Sequence, residues 1–444
     1  MTAPEGLAGG LADVAPLAVA YLERQSWYQA VTGGSARLVP ALVATEWIRP
    51  GPPGLARLVL EAGDHQFQLL LGWRPAGEAA ALLGGREAAL LGPVTIGGEH
   101  VLAYDALADD ALCAELLAHV TSGGEHATMV RRVSTLVSHA SLVFDERLFM
   151  KCYRVLERGP RPEVEVMLRL DAVGFNAMLA PVAHWRVDGC DLALVREFQP
   201  SALEGRLLAF TSLRDLLAHA YTPDDTQPVE RVGPDTEPTT VDPDVQTAAA
   251  GGDLASEMRR LGSTTARLHL ALAEAFGVAD AAAETFASAL GSGVAASARP
   301  PILPGGAGRA VRLHGDYHLR RVMRSEAGWL VAGFGDDPLH GAQPGAGPAA
   351  VRRGSPLEDL ADMCVSLRAV AHEALGQRAP EETGPAAHLA RAWIRRNESA
   401  LLAGYEETDE VASLLPRDAE TTRVLLDVLV REKELRYEAT SSET

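Results

Sequence analysis

The chain has 444 residues, 47% of them hydrophobic and 22% charged, which is normal for a soluble globular protein and too long for one ordinary core. Lys and Arg number 40 against 59 Asp and Glu, a net charge of −19, so the surface repels phosphate backbones and anionic lipid; neither nucleic acid nor a membrane is an expected partner. No apolar run reaches the length of about 18 residues that a membrane-spanning helix needs. The N-terminus, MTAPEGLAGGLADVAP, lacks the basic start and apolar run of a signal peptide. Cys113, Cys152, Cys190 and Cys364 are isolated, with no CxxC and no Cys/His cluster. Reduced thiols in a cytoplasm are expected, without a zinc site or a disulfide framework.

In chain order, Ser35–Val43, Ala56–Glu61 and Gln66–Trp73 read as short strands separated by Pro/Gly punctuation. Asp105–Val120 carries Ala and Leu at spacings of three and four, which predicts an amphipathic helix. Ala140–Phe144, Arg147–Tyr153 and Leu192–Phe198 are strand candidates around a helix at about Pro162–Leu170. Tyr221–Asp253 holds five Pro and eight acids against a lone Arg231, so it cannot bury enough surface to offset chain entropy and reads as a solubilising loop. Helices are then predicted at Glu257–Phe276, Ala279–Leu290, Leu357–Leu375, Ala387–Tyr405 and Thr421–Tyr437. Gly/Pro/Ala-rich loops near Ser297–Gly308 and Gly341–Gly354 flank the segment richest in chemical signals.

That segment is Arg312–Asp337, RLHGDYHLRRVMRSEAGWLVAGFGDD. Asp316 follows a short apolar strand, beside a glycine that permits unusual backbone angles. Phosphotransferases present a base to a hydroxyl in this manner. The bland alternative is a loop cap, since Asp stabilises turns. A second strand, Trp329–Ala332, is reached through a turn at Glu326–Gly328.

The stretch HGDYHLRRV at His314–Val322 resembles the catalytic loop HGDYHLGQV of the maltokinase family, within the aminoglycoside-phosphotransferase and protein-kinase-like superfamily. Trp27-Tyr28 resembles the opening of that family's N-terminal cap, Leu192–Pro200 its hinge strand, Leu261–Ala273 with His269 its first C-lobe helix, and Ser355–Met363 (SPLEDLADM) its SPLRDVAGM. The resemblance implies an α+β, protein-kinase-like bilobal fold. It would comprise a cap at 1–125, a β-rich N-lobe at 126–200 and a mainly helical C-lobe at 201–444, with the acidic loop 221–253 inside it. It implies Asp316 as the catalytic residue, Lys151 as the contact to ATP, and Glu165 as the helix acid that pairs with Lys151.

The same resemblance marks departures. The family's first Mg²⁺ ligand is the Gln of HGDYHLGQ, and Arg321 stands there. Its second is the Asp of DFEGEP, and Gly333 stands there. A hard divalent cation needs oxygen ligands, so the two changes argue against Mg²⁺. Arg321 becomes a candidate anion contact instead. Asp336 and Asp337, three and four residues past Gly333, are the remaining oxygen donors that a shifted loop would bring to a metal. The family's phosphate-facing EQSNSS is Leu136–Ser141 (LVSHAS), which lacks its acid and amides. The expected function is therefore that of a maltokinase homologue with impaired or lost phosphorylation of maltose by ATP. Alternatives are a pseudokinase binding a partner such as trehalose synthase, or an active kinase of another sugar or amino sugar.

Overall fold

The computed structural model describes residues 13–33, 39–135, 139–219, 253–280, 308–334, 353–377 and 380–442. They form two compact units. One holds the described residues up to 168 together with 179–200, and the other holds 169–178 and the described residues from 201 onward.

The first unit is built on two antiparallel sheets. One contains β1 (Ala41–Arg49), β2 (Gly54–Ala62), β3 (His65–Pro75), β4 (Leu90–Ile96) and β5 (Glu99–Asp105) in the order β1-β2-β3-β5-β4. The other contains β6 (Val130–Thr135), β7 (His139–Phe144), β8 (Leu148–Tyr153), β10 (Pro181–Val187) and β11 (Cys190–Glu197) in the order β10-β11-β8-β7-β6. Between β8 and β10, the short β9 (Val155–Leu156) crosses to pair with β3 and joins the sheets. Helices α1 (Ala15–Glu23), α2 (Ser26–Thr32), α3 (Ala76–Leu82), α4 (Asp110–Val120) and the first part, up to Leu168, of α5 (Pro162–Ala172) complete the unit's helical part.

Strands β2 and β3 are buried along most of their length, which suits their apolar centres, Leu58–Leu60 and Leu69–Leu71. Trp27 and Tyr28 of α2 lie on Phe67, with ring centroids 6.0 and 5.1 Å away. Gly54 pairs with Trp73 across the sheet, and a Cβ on Gly54 would fall 1.9 Å from the indole, so only glycine lets that ring lie on β2. Leu70, Leu112 and Leu116 share one core with Phe144, Met150 and Val195. Residues of the segments expected as cap and β-rich region thus meet in one core.

Three expectations about elements need correction. The first strand begins at Ala41, not Ser35, and runs on to Arg49; residues 35–38 lie outside the described residues. Asp105 ends a strand instead of starting a helix. Asp109 then caps α4 by accepting from the Ala111 and Leu112 amides at 3.0 and 3.3 Å, the usual service of Asp at a helix start. At the start of the helix expected over Ala279–Leu290, Ala279–Asp280 is a short strand, β13, and residues 281–290 lie outside the described residues.

In the second unit, α6 (Gly205–His219), α7 (Ala255–Phe276), α8 (Leu357–Gly376), α9 (Pro380–Glu406) and α10 (Ala419–Ser442) supply most of the mass. Helices α7 and α9 meet backbone to backbone. A Cβ on Gly262 would sit 2.0 Å from the Leu401 carbonyl oxygen, and one on Gly404 would sit 1.9 Å from that of Arg259. Arg368 of α8 bonds Glu398 of α9 at 2.7 Å and Glu434 of α10 at 3.0 Å, tying three helices. Two small sheets complete the unit. In one, β14 (Arg309–Arg312) lies between β13 and β17 (Arg353–Gly354). In the other, the hairpin of β15 (Val322–Ser325) and β16 (Gly328–Val331) pairs with β12 (Leu203–Glu204). The predicted strand–loop–hairpin around Asp316 is therefore present. Among the described residues no helix is long and apolar enough to cross a membrane. The acidic segment, apart from Asp253, lies outside the described residues.

Candidate functional site

In the first unit, Lys151 lies on β8, paired with Ser141 of β7 on one side and Leu194 of β11 on the other. Its Nζ donates to both carboxylate oxygens of Glu163, at 2.8 and 2.6 Å. Lys151 retains 14% side-chain exposure while Glu163 keeps 2%, so the acid is buried and the lysine is slightly more accessible. The partner is therefore Glu163 and not the expected Glu165. The cause is helical phase: residues two apart on α5 point to opposite sides, so one of the two can face β8 and the other cannot. Burial alone would raise the Glu163 carboxyl, but the Lys151 ammonium outweighs it, and the net displacement is downward. Arg196 of β11 stacks on Phe149 at 4.3 Å and also acts on Glu163 electrostatically.

In the second unit, Asp316 sits on the loop between β14 and the short helical turn Leu319–Arg321. Gly315 takes a φ of +87°, a left-handed conformation that glycine adopts without strain. The loop is shaped from below by Asp359 of α8, which is buried. Asp359 accepts from the His314 amide at 2.9 Å, the Gly315 amide at 3.1 Å, and lies 3.1 Å from His269 Nε2. Tyr405 closes the chain of bonds at His269 Nδ1, 2.9 Å away. Burial opposes ionisation of Asp359, yet its donors prevail and hold the carboxyl down at about 2.

His314 braces the loop. Its Nδ1 takes the Asp316 amide proton at 3.4 Å, which leaves Nε2–H to donate to the Ala332 carbonyl at 3.3 Å. Its ring also packs on Tyr317 and Phe334. Burial pushes the imidazole down to about 4, so it is neutral at pH 7. His318 Nδ1 likewise accepts the Arg320 amide at 3.2 Å, so its proton is on Nε2, facing Asp316 Oδ1 at 3.2 Å.

The other oxygen of Asp316 belongs to Arg321. Its Nε and Nη2 donate to Oδ2 at 2.9 and 2.5 Å. Although burial favours the neutral acid, the His318 and Arg321 hydrogen bonds hold the Asp316 carboxyl far below the ordinary carboxylate range. The anion that Arg321 contacts is the protein's own Asp316.

The positions aligned with the two metal ligands are adjacent in space. A Cβ on Gly333 would lie 2.9 Å from Arg321 Nη1 and 3.1 Å from its Cδ, so the arginine side chain occupies the room a larger residue at 333 would need. Mg²⁺ does not fit the side chains present: one position supplies a cation and the other supplies no side-chain donor. Two positive charges about 4 Å apart repel by roughly 4 kcal/mol at an effective dielectric near 20, and a divalent ion doubles that. Among the described residues no group of three or more His, Cys, Asp or Glu is placed to hold a metal. Asp336 and Asp337, the remaining metal candidates, lie outside the described residues.

Sequence reasoning missed Glu163, Arg196 and Asp359 as functional or positioning residues. Glu163 was within reach of a phase argument from Pro162, which sets the helix start. Asp359 lies in the quoted SPLEDLADM segment, but its tie to the Asp316 loop spans 45 residues and depends on tertiary placement.

Residues 21–109 match the maltokinase N-terminal cap domain family. The whole fold is similar to a glucosamine kinase solved with glucosamine, ADP and inorganic phosphate, at 18% identity, TM-score 0.57, covering 94% of this chain and 93% of that one. A second glucosamine kinase structure is similar at 19% identity and TM-score 0.56, covering 94% and 92%. The chain thus carries a maltokinase-type cap on a kinase-like fold.

Proposed function

We propose that the chain is a maltokinase-like sugar phosphotransferase homologue whose kinase activity is impaired or lost. Asp316 is the residue for the acceptor hydroxyl, Lys151, held by Glu163, is the contact for nucleotide phosphates, and ATP is the donor. One observation carries the reading: Asp316 lies on an HGDYHL loop in a kinase-like fold, with its two oxygens engaged by Arg321 and His318. A hydroxyl approaching Asp316 has to compete with those donors, and a carboxylate held so far down is a weak base. Maltose is the acceptor suggested by the cap, and glucosamine the alternative suggested by the similar kinase.

The Asp316–Arg321 pair also favours a second reading, in which the chain binds without turning over and serves as a partner of an enzyme such as trehalose synthase. A coupled ADP-release assay with maltose, glucosamine or no sugar, with and without Mg²⁺, separates these. Slow or absent release, with ATP affinity little changed by Mg²⁺, is expected. Brisk maltose-dependent release that Asp316→Asn abolishes would make the protein an ordinary kinase. Co-sedimentation with trehalose synthase tests the partner reading.

A further inference from the structure

Arg321 is held more rigidly than a surface arginine. Its amide donates to the His318 carbonyl at 2.7 Å and its carbonyl accepts from Ala332 at 2.8 Å, so its backbone is pinned on both sides. Its side chain, 20% exposed, runs along the backbone of Gly333, whose φ is +71° and which offers no Cβ to displace it. Its guanidinium ends on Asp316 through two N–H donors. A planar guanidinium matched to one carboxylate is permanently charged and gives directed bonds. Unlike a metal ion, it acts through N–H donors in fixed directions and not through a coordination sphere.

We propose that Arg321 is a resident substitute for a divalent cation: its guanidinium, seated against Gly333, neutralises Asp316 and makes this half-site unable to take Mg²⁺ or Mn²⁺. Only the name of what is replaced rests on the kinase-like reading; the seating of Arg321 stands without it. The two substitutions act as a pair. Gly333 provides the room and Arg321 fills it with charge, so reverting one without the other gives either a crowded site or one short of ligands.

The test is a Mn²⁺ titration of the full chain without nucleotide, followed by loss of the free-ion electron paramagnetic resonance signal. The wild-type chain is expected to hold no Mn²⁺ site tighter than about 1 mM. Arg321→Gln with Gly333→Asp is expected to gain one at least tenfold tighter. A one-to-one micromolar site in the wild type overturns the inference, whichever residues hold the ion, Asp336 and Asp337 included. A folded double variant that gains nothing also overturns it. If that variant fails to fold by circular dichroism, the wild-type titration still decides the matter. Binding of a fluorescent ADP analogue is measured separately. Its absence would refute the kinase-like reading while leaving the Mn²⁺ result standing.

Discussion

Arg321 and Asp316, five residues apart, form an ion pair in which two nitrogens of one guanidinium converge on a single carboxylate oxygen. Arg321→Gln is expected to let the Asp316 carboxyl rise toward the ordinary range, observable by carbon NMR of the side chain. The pair is partly exposed, so its loss should cost no more than about 1–2 kcal/mol in denaturant unfolding. An unchanged Asp316 titration would mean that His318 alone governs it.

His314 sets a pH dependence on the acid side. Its imidazole lies at about 4 in the fold against an ordinary 6.5, so the unfolded chain takes up the proton first. Stability is then full above about pH 6.5 and is lost as pH falls toward 4, by roughly 3 kcal/mol if this group acts alone. Asp359, depressed to about 2, adds a further loss below about pH 4, where carboxylates of the unfolded chain protonate. Urea unfolding at a series of pH values should show the first slope in wild type and a flatter one in His314→Gln.

Asp359→Ala should cost about 3–5 kcal/mol, because two loop amides and His269 lose a buried acceptor at once. Asp359→Asn keeps one oxygen and should cost roughly half as much. A loss below about 1 kcal/mol for the alanine variant would show that water replaces the carboxylate.

The two acids of α5 should behave differently. Glu163→Gln breaks a buried bidentate pair and is expected to destabilise by about 2–4 kcal/mol and to weaken nucleotide binding. Glu165→Gln should change stability by less than about 1 kcal/mol. Equal effects on calorimetric ADP binding would return the pairing role to Glu165.

Gly262→Ala and Gly404→Ala each place a methyl group inside the carbonyl of the opposing helix. Each should cost about 3 kcal/mol or more by forcing α7 and α9 apart. Thermal unfolding of either variant checks this, and a melting temperature within a degree of wild type would contradict it.

The strand candidates with strong β composition and the long periodic helices were legible from sequence, because their signal is local. So was the Asp316 loop, which carries a consecutive motif. What could not be read was who pairs with whom. The partner of Lys151 depends on where α5 starts, and the anion beside Arg321 depends on a turn that brings the guanidinium back onto its own loop. Strands β4, β5 and β10 escaped notice for another reason. Their residues mix Gly, Pro, His and acids, and they hold strand form through neighbours that supply the missing apolar faces.

Asp359 has a consequence of its own. It grips the backbone of His314 and Gly315 and touches neither the carboxylate of Asp316 nor the guanidinium of Arg321 in any bond described above. The frame that shapes the loop and the group that would meet a ligand are therefore different residues on different elements. Such a division lets positions 316, 321 and 333 vary while the scaffold stays put, so the chemistry of this loop can drift, or be restored by substitution, without rebuilding the fold beneath it.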